Sequence, residues 1–186
     1  MSFLSMEHGR VAYRADLILY GAAVLLLGGH LLLMAPRAHP FELVLLVLLG
    51  LICWTLLEYL LHRFVLHGLW PFTLWHAAHH RRPRALICAP TWLSASLICL
   101  FVFLPALVLL GAWRAQALTL GVLAGYFGYS LIHHATHHWR LGRFAWARQR
   151  KRWHAWHHGR SGPVCYGVSS GLWDHVFGTS PPAEAE

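Results

Sequence analysis

The chain has 186 residues, of which 57% are hydrophobic and only 12% charged, with a formal net charge of +8. This balance excludes an ordinary soluble domain and is typical of an integral membrane protein. Because the cations flank apolar segments and alternate with tryptophan, topology and anionic headgroups account for them, and we expect no nucleic-acid binding.

Four apolar segments reach or approach the roughly 20 residues that a membrane-spanning helix needs. They are residues 17–35, 41–61, 91–112 and 115–132. The first is too long for the apolar core of a signal peptide, and no clear small-residue cleavage site precedes the second, so we expect a retained anchor. The sequence therefore predicts a multi-pass, all-α membrane protein with a single domain over residues 1–186.

Short connections predict that the four spans pair as two antiparallel hairpins. Residues 36–40 join the first two spans and residues 113–116 the last two. Four crossings then place both termini, the middle segment 62–90 and the tail on one side. That side carries thirteen Lys and Arg residues against two on the other. The positive-inside rule therefore predicts a cytoplasmic helical cap formed by residues 62–90 and 133–179.

Twelve of the sixteen histidines fall in four clusters, HRFVLH, HAAHH, HHATHH and HAWHH, all on the predicted cytoplasmic side. On an α-helix, positions i, i+3 and i+4 lie within an arc of about 100°, so each HxxHH is expected to aim three imidazoles at one point. His62 and His67 are five residues apart and can converge only if the helix ends or unwinds between them. Imidazole suits Fe, Zn, Cu or Ni. Because about ten imidazoles exceed what one ion can hold, we expect two metal ions.

The four histidine boxes resemble those of the fatty acid hydroxylase/sterol desaturase superfamily of integral-membrane non-haem di-iron enzymes. The flanking sequences EYLLHRFVLH (58–67), YSLIHHATHH (129–138) and YGVSSGLWDHVFGT (166–179) are similar as well. The resemblance covers about residues 55–179. It implies ten metal ligands: His62, His67, His76, His79, His80, His133, His137, His154, His157 and His158. The third box permits a second frame, in which His134 or His138 replaces a neighbour.

The resemblance also implies an activity. An oxidoreductase of this superfamily uses O₂ and external electrons to hydroxylate a C–H bond of a fatty acyl or related lipid chain taken from the bilayer. Two iron ions are the implied cofactors, and zinc can occupy such imidazole sites in purified protein. No cytochrome, flavin or ferredoxin motif occurs in the sequence, so we expect a separate electron donor of one of these types. No motif identifies the substrate-binding residues or the oligomeric state.

Other functions fit part of the pattern. The same resemblance permits hydroxylation or desaturation of a carotenoid or a sterol. A metal transporter or sensor would need polar residues at mid-span to pass the ion, and the spans offer only His30 with Cys and Thr. A haem-binding subunit would place facing histidine pairs on two spans, whereas these histidines cluster on one side.

Two carboxylates are expected to support the ligands without binding metal. Glu58 lies four residues before His62 on the same helix face. A carboxylate that accepts a hydrogen bond from the second ring N–H of a ligand fixes its tautomer and orientation. Asp174 could act in the same way or pair with an Arg or Lys side chain.

Three tryptophans suggest how the tail meets the membrane. Trp139, Trp146 and Trp153 recur every seven residues, and cations occupy other positions of the same stretch. This pattern predicts a helix that lies in the headgroup plane with one tryptophan stripe.

Overall fold

The computed structural model describes residues 6–140, 144–159 and 164–181. These residues are almost entirely helical, as predicted. The α-helices are α1 (Arg10–Met34), α2 (Pro40–Leu60), α3 (Phe72–Arg81), α4 (Thr91–Ile98), α5 (Leu104–Leu110), α6 (Ala112–His138), α7 (Ala145–Gly159) and α8 (Leu172–Val176). Two π-helical segments, Leu61–Leu66 and Cys99–Phe103, extend α2 and join α4 to α5.

Four continuous helices are long and apolar enough to cross a membrane. They are Arg10–Met34, Pro40–Leu66, Thr91–Leu110 and Ala112–His138. The predicted number of spans is confirmed, but the first helix starts at residue 10 rather than 17, and the last continues to residue 138 rather than 132. The length of an apolar segment is matched to the thickness of the bilayer. The helix itself can extend further, because its backbone hydrogen bonds continue into polar sequence wherever those side chains find partners.

Large apolar side chains cover the outside of these helices. On α1 and α5, six of them are between 74% and 83% exposed: Leu25, Leu26, Leu32, Leu33, Val108 and Leu109. Exposure on this scale is unfavourable in water and is expected where the surroundings are lipid. The exposed surface therefore agrees with an integral membrane protein.

The described chain forms two compact units. The first contains residues 6–54 and 86–127, and the second contains residues 55–85 together with the described part of 128–181. Two of the three boundaries fall inside helices, α2 and α6, so each of these helices contributes to both units, and the third falls between α3 and α4. All four histidine clusters belong to the second unit. The expectation of a single domain over residues 1–186 stays a prediction.

Within the first unit, glycine allows α2 and α6 to touch through their backbones. A Cβ atom built on Gly121 would lie 2.1 Å from the Val47 carbonyl oxygen and 2.8 Å from the Gly50 Cα atom. One turn later, a Cβ atom on Gly125 would lie 2.5 Å from the Trp54 ring. Small residues at such crossings are the usual means by which membrane helices pack closely, because lipid provides no hydrophobic drive for association.

Polar contacts add to this packing at both ends of the first unit. Glu42 on α2 forms a bidentate ion pair with Arg114 on α6. Towards the other end, the Thr91 hydroxyl donates to Asp16 over 2.5 Å, and the hydroxyls of Tyr20 and Ser94 lie 2.7 Å apart. These bonds connect α1 with α4 and satisfy a carboxylate that would otherwise be costly to bury.

Replacing Gly121 with Ala should destabilise the protein, because the new methyl group overlaps backbone atoms that cannot rotate away. We expect a loss of about 1–3 kcal/mol, the usual cost of overpacking. The matched control is Gly128→Ala on the same helix, where nothing lies within 4 Å of the added Cβ. Thermal unfolding in detergent measures both variants. Equal midpoints for the two would contradict the packing described here.

Candidate metal centre

Five imidazoles from three elements of the second unit converge on one point, and we call them the first histidine group. They are His62 and His67 at the π-helical segment after α2, His76 and His80 on α3, and His157 on α7. One ring nitrogen from each lies within 4.8 Å of all the others. The closest approaches, between Nε2 atoms, are 3.0 Å for the pairs 62–76, 76–80 and 67–157.

The π-helical segment explains how His62 and His67 meet. In a π-helix the N–H of one residue bonds the carbonyl five residues earlier, and the His67 N–H donates to the His62 carbonyl over 3.2 Å. Residues five apart therefore share a face, and the two ring centroids lie 5.2 Å apart. The sequence required some unwinding between these residues, and this segment supplies it.

Four further imidazoles form the second histidine group: His79 on α3, His137 on α6, and His154 and His158 on α7. Their ligand nitrogens again lie within 4.8 Å of one another. His133 on α6 adjoins this group, because its Nε2 atom lies 3.1 Å from that of His79 and 3.3 Å from that of His137.

Each HxxHH box divides between the two groups, so the expectation that its three imidazoles share one point is wrong. Residues i and i+4 stay together, since only about 40° of helix rotation separates them, whereas i+3 and i+4 are about 100° apart. On α3, His76 and His80 join the first group and His79 the second. On α7, the i and i+4 residues join the second group and His157 the first.

The donor atoms fit transition-metal ions. Two imidazole nitrogens that each lie about 2.1 Å from one ion are separated by about 2.9–3.4 Å at angles between 90° and tetrahedral. The 3.0 Å separations in the first group fall in this range. In the second group, the Nδ1 atoms of His79 and His154 and both ring nitrogens of His158 are buried without a hydrogen-bond partner among the described residues. The histidine clusters could therefore bind metal.

Burial keeps these imidazoles in the form that binds metal. It lowers the pKa of His79 and of His157 to about 3, and the pKa of His80 to about 4. Neighbouring imidazoles lower the pKa further, because a second positive charge nearby is unfavourable. At neutral pH the rings are therefore uncharged, and a neutral imidazole has the free lone pair that a metal requires.

Two backbone carbonyls fix the tautomers of two imidazoles in the first histidine group. His62 Nδ1 lies 2.5 Å from the Tyr166 carbonyl oxygen, and His157 Nδ1 lies 2.8 Å from that of Val164. A carbonyl oxygen can only accept, so each Nδ1 carries the proton and each Nε2 keeps its lone pair for the group. Carbonyl acceptors leave no side-chain signal in a sequence, and these two were missed for that reason.

Glu58 binds the chain segment 166–169, which carries the Tyr166 carbonyl. Its carboxylate accepts hydrogen bonds from the backbone N–H groups of Val168 and Ser169, at 2.6 and 2.8 Å, and from the Ser169 hydroxyl. The spacing of Glu58 and His62 predicted a hydrogen bond from the His62 ring N–H in this place, but that N–H donates to the Tyr166 carbonyl.

Asp174 binds the two residues that precede those bound by Glu58. It is fully buried on α8 and accepts from the N–H groups of Tyr166 and Gly167, at 2.8 and 2.9 Å. The Thr179 hydroxyl donates a third bond over 2.8 Å. Both carboxylates singled out from the sequence thus contact the segment around Tyr166.

His134 and His138 lie outside both histidine groups. They face away from His133 and His137 on α6, and their rings stack on each other with centroids 4.5 Å apart. His134 is partly buried and His138 is exposed. The structure therefore brings the first frame of the third box to the cluster and leaves the second frame aside.

The predicted tryptophan stripe is wrong. Trp139 follows the end of α6, while Trp146 and Trp153 lie on α7. Trp146 is 53% exposed but Trp153 is only 2% exposed, and its ring packs against the Arg150 guanidinium at 4.2 Å. Positions seven apart share a helix face, but Trp146 is in the first turn and Trp153 lies where the helix is covered.

A sequence model of the family described as fatty acid hydroxylase matches residues 47–179. The chain belongs to this family. Dihydroceramide fatty acyl 2-hydroxylase FAH2 of Arabidopsis thaliana is 36% identical over 151 residues, which cover 76% of this chain and 62% of the plant protein. Ceramide very long chain fatty acid hydroxylase SCS7 of Saccharomyces cerevisiae is 34% identical over 143 residues, covering 70% of this chain and 36% of the yeast protein. The chain thus spans less than two thirds of either relative.

A solved structure has the same fold. It is full-length scs7p, of which only the hydroxylase domain is visible. The two structures superpose with a TM-score of 0.76 at 29% identity, and the match covers 90% of this chain and 66% of that one. The fold similarity extends well beyond the histidine boxes.

Adjacent histidines on α6 test the frame of the third box. Replacing His137 with Ala should lower the metal content of the purified protein, because it removes a nitrogen from the second histidine group. Replacing His138 with Ala should leave the metal content unchanged. Elemental analysis of the purified variants gives the answer, and a greater loss from the His138 variant would favour the other frame.

Proposed function

We propose that this protein is a membrane-bound lipid hydroxylase that uses O₂ and external electrons to hydroxylate a C–H bond of a fatty acyl chain. Each histidine group holds one iron ion, with His133 completing the second. The observation that supports this most directly is the pair of converging imidazole groups in a chain that belongs to the fatty acid hydroxylase family. Iron ions bound there would supply O₂ activation and C–H cleavage.

The residues of the chain bind and orient the ions. All ten proposed ligands are imidazoles, so they add no negative charge and leave the full positive charge on the metals. His62 and His157 are held in one tautomer by backbone carbonyls. Glu58 and Asp174 support the ligands indirectly, by holding the segment that provides these carbonyls. His62 and His157 in the first group, and His79 and His154 in the second, are buried, which limits the access of bulk water to these imidazoles.

The names of the relatives support the proposed substrate class. Their names describe action on fatty acyl chains and ceramides, which favours an acyl chain over the carotenoid and sterol alternatives. Because the chain matches only part of each relative, this assignment is our proposal for the present protein. An exposed apolar surface on the spanning helices suits a substrate that arrives from the bilayer.

Charge supports an acidic, separate electron donor. In the described part of the second unit, the acidic residues are Glu58 and Asp174, and both are buried. Exposed cations on the same unit include Arg81, Arg84 and Arg152. A surface with cations and no exposed carboxylate among its described residues attracts an acidic partner and speeds its association. The positive-inside rule puts this surface, both termini and the metal centre in the cytoplasm.

Lipid profiling tests the activity. Cells that express the chain should accumulate fatty acyl species with one added oxygen, as measured by mass spectrometry. His157→Ala should abolish this product because it removes a nitrogen from the first histidine group. His39→Ala, far along the sequence from every cluster, is the matched control and should retain it. Species lacking two hydrogens would instead identify a desaturase, and an unchanged profile would refute the proposed activity.

Single cysteines test the proposed orientation. In a cysteine-free background, Ala38→Cys and Pro83→Cys place one thiol at each of two exposed positions. We expect a membrane-impermeant maleimide to label residue 38 in intact cells and residue 83 only after permeabilisation, because an odd number of spans separates the two. The reverse pattern would place the metal centre outside the cytoplasm.

A further inference from the structure

The hydrogen bonds of residues 164–167 follow a pattern that the ligand set alone does not explain. The Tyr166 carbonyl accepts from His62, and the N–H of the same peptide group, on Gly167, donates to Asp174. Two residues earlier, the Val164 carbonyl accepts from His157, and the N–H of that peptide group, on Cys165, donates to the Thr179 carbonyl over 2.8 Å. Each peptide group is thus bonded on both sides.

Peptide geometry makes this arrangement directional. A trans peptide group is planar, with its C=O and N–H pointing in opposite directions. An acceptor that fixes the N–H therefore also fixes the direction of the carbonyl. For the Tyr166–Gly167 peptide that acceptor is a carboxylate, and a charged acceptor forms the stronger bond. Hydrogen bonds in series also polarise one another, so the charge on Asp174 makes the Tyr166 carbonyl a better acceptor for the His62 N–H.

We propose that Asp174 is a positioning residue that acts on His62 through the Tyr166–Gly167 peptide group. It supports this imidazole of the first histidine group without contacting it. A carboxylate that accepts directly from a ligand histidine orients the ring and raises its basicity. Here one peptide group stands between the two, and it transmits both effects. This proposal rests on the proposed di-metal centre and adds a specific role within it.

The backbone conformation leaves no room for an alternative residue at the relay. A Cβ atom on Gly167 would lie 1.9 Å from the Ser170 carbonyl oxygen and 2.8 Å from Asp174 Oδ2. Any side chain at this position would therefore push the peptide group away from the carboxylate. Glu58 holds the next two N–H groups, on Val168 and Ser169, so it supports the segment without touching the peptide group that binds His62.

The relay serves one histidine group and not the other. The two carbonyl acceptors bind His62 and His157, which both belong to the first group. In the second group, the Nδ1 atoms of His79 and His154 have no hydrogen-bond partner among residues 6–140, 144–159 and 164–181. Weakening the relay should therefore loosen one ion and spare the other. A general loss of folding would release both ions together.

The test compares metal retention in full-length protein. Cells grown on ⁵⁷Fe supply wild type, Asp174→Asn, Gly167→Ala and Glu58→Gln, each purified with its iron. Increasing chelator concentrations then measure how tightly each ion is held, and Mössbauer spectra report the two iron environments. We expect Asp174→Asn to release one ion at a roughly 10–100-fold lower chelator concentration, the usual effect of losing an outer-shell partner. The second ion should leave as it does from wild type.

The other variants show how much each residue contributes to the retention of the ion in the first histidine group. Gly167→Ala should reproduce the selective loss without changing any carboxylate. Glu58→Gln should have a smaller effect in the same direction, because the glutamine oxygen still accepts from the backbone N–H groups of Val168 and Ser169. Asp16→Asn is the matched control, since it is a buried aspartate of the first unit, and it should leave both ions unaffected.

The outcomes separate the two proposals. Wild type with one ion or none would overturn the proposed di-metal function itself. Wild type with two ions, and variants that lose both alike or neither, would overturn the relay alone. Loss confined to one ion, with one of the two Mössbauer signals changed, supports it.

Discussion

The second unit depends on one constraint: many uncharged imidazoles must direct their lone pairs at common centres, and most of these imidazoles are wholly or partly buried. Ring nitrogens only 3.0 Å apart need a stabilising interaction, because two lone pairs at this distance repel each other. A buried polar atom without a partner is costly, so either a metal or a hydrogen-bond donor must compensate each one. The π-helical segment and the carbonyls of Val164 and Tyr166 can be understood as the means of meeting this demand.

Much of this arrangement could be predicted from the sequence, because it depends on composition and helical period. Apolar length gave four spans, and the spacing of His133 and His137 placed both on one helix face. Features that depend on tertiary contacts could not be predicted from the sequence. Nothing in HRFVLH specifies a π-helix over simple termination, and a seven-residue period could not tell that Trp153 would be covered while Trp146 stayed exposed. The backbone carbonyls that accept from His62 and His157 could not be predicted, because any residue type can supply a carbonyl.

Glu58 and Asp174 show that a supporting residue is easier to predict from a sequence than the group to which it binds. Their placement beside the boxes suggested a supporting role, but each satisfies its charge with three donors from the segment 166–179 rather than with a ligand. Arg150, which is 4% exposed, adds a favourable electrostatic interaction with both carboxylates. Burial raises the pKa of Asp174, and its hydrogen bonds together with the charge of Arg150 oppose this rise.

The division of each HxxHH box has a consequence for how the two histidine groups move. Because α3 and α7 each contribute histidines to both groups, the two groups are attached to the same pair of helices. The separation between the groups therefore depends on the rotation per residue of an α-helix. A slide or tilt of either helix would move histidines of both groups together.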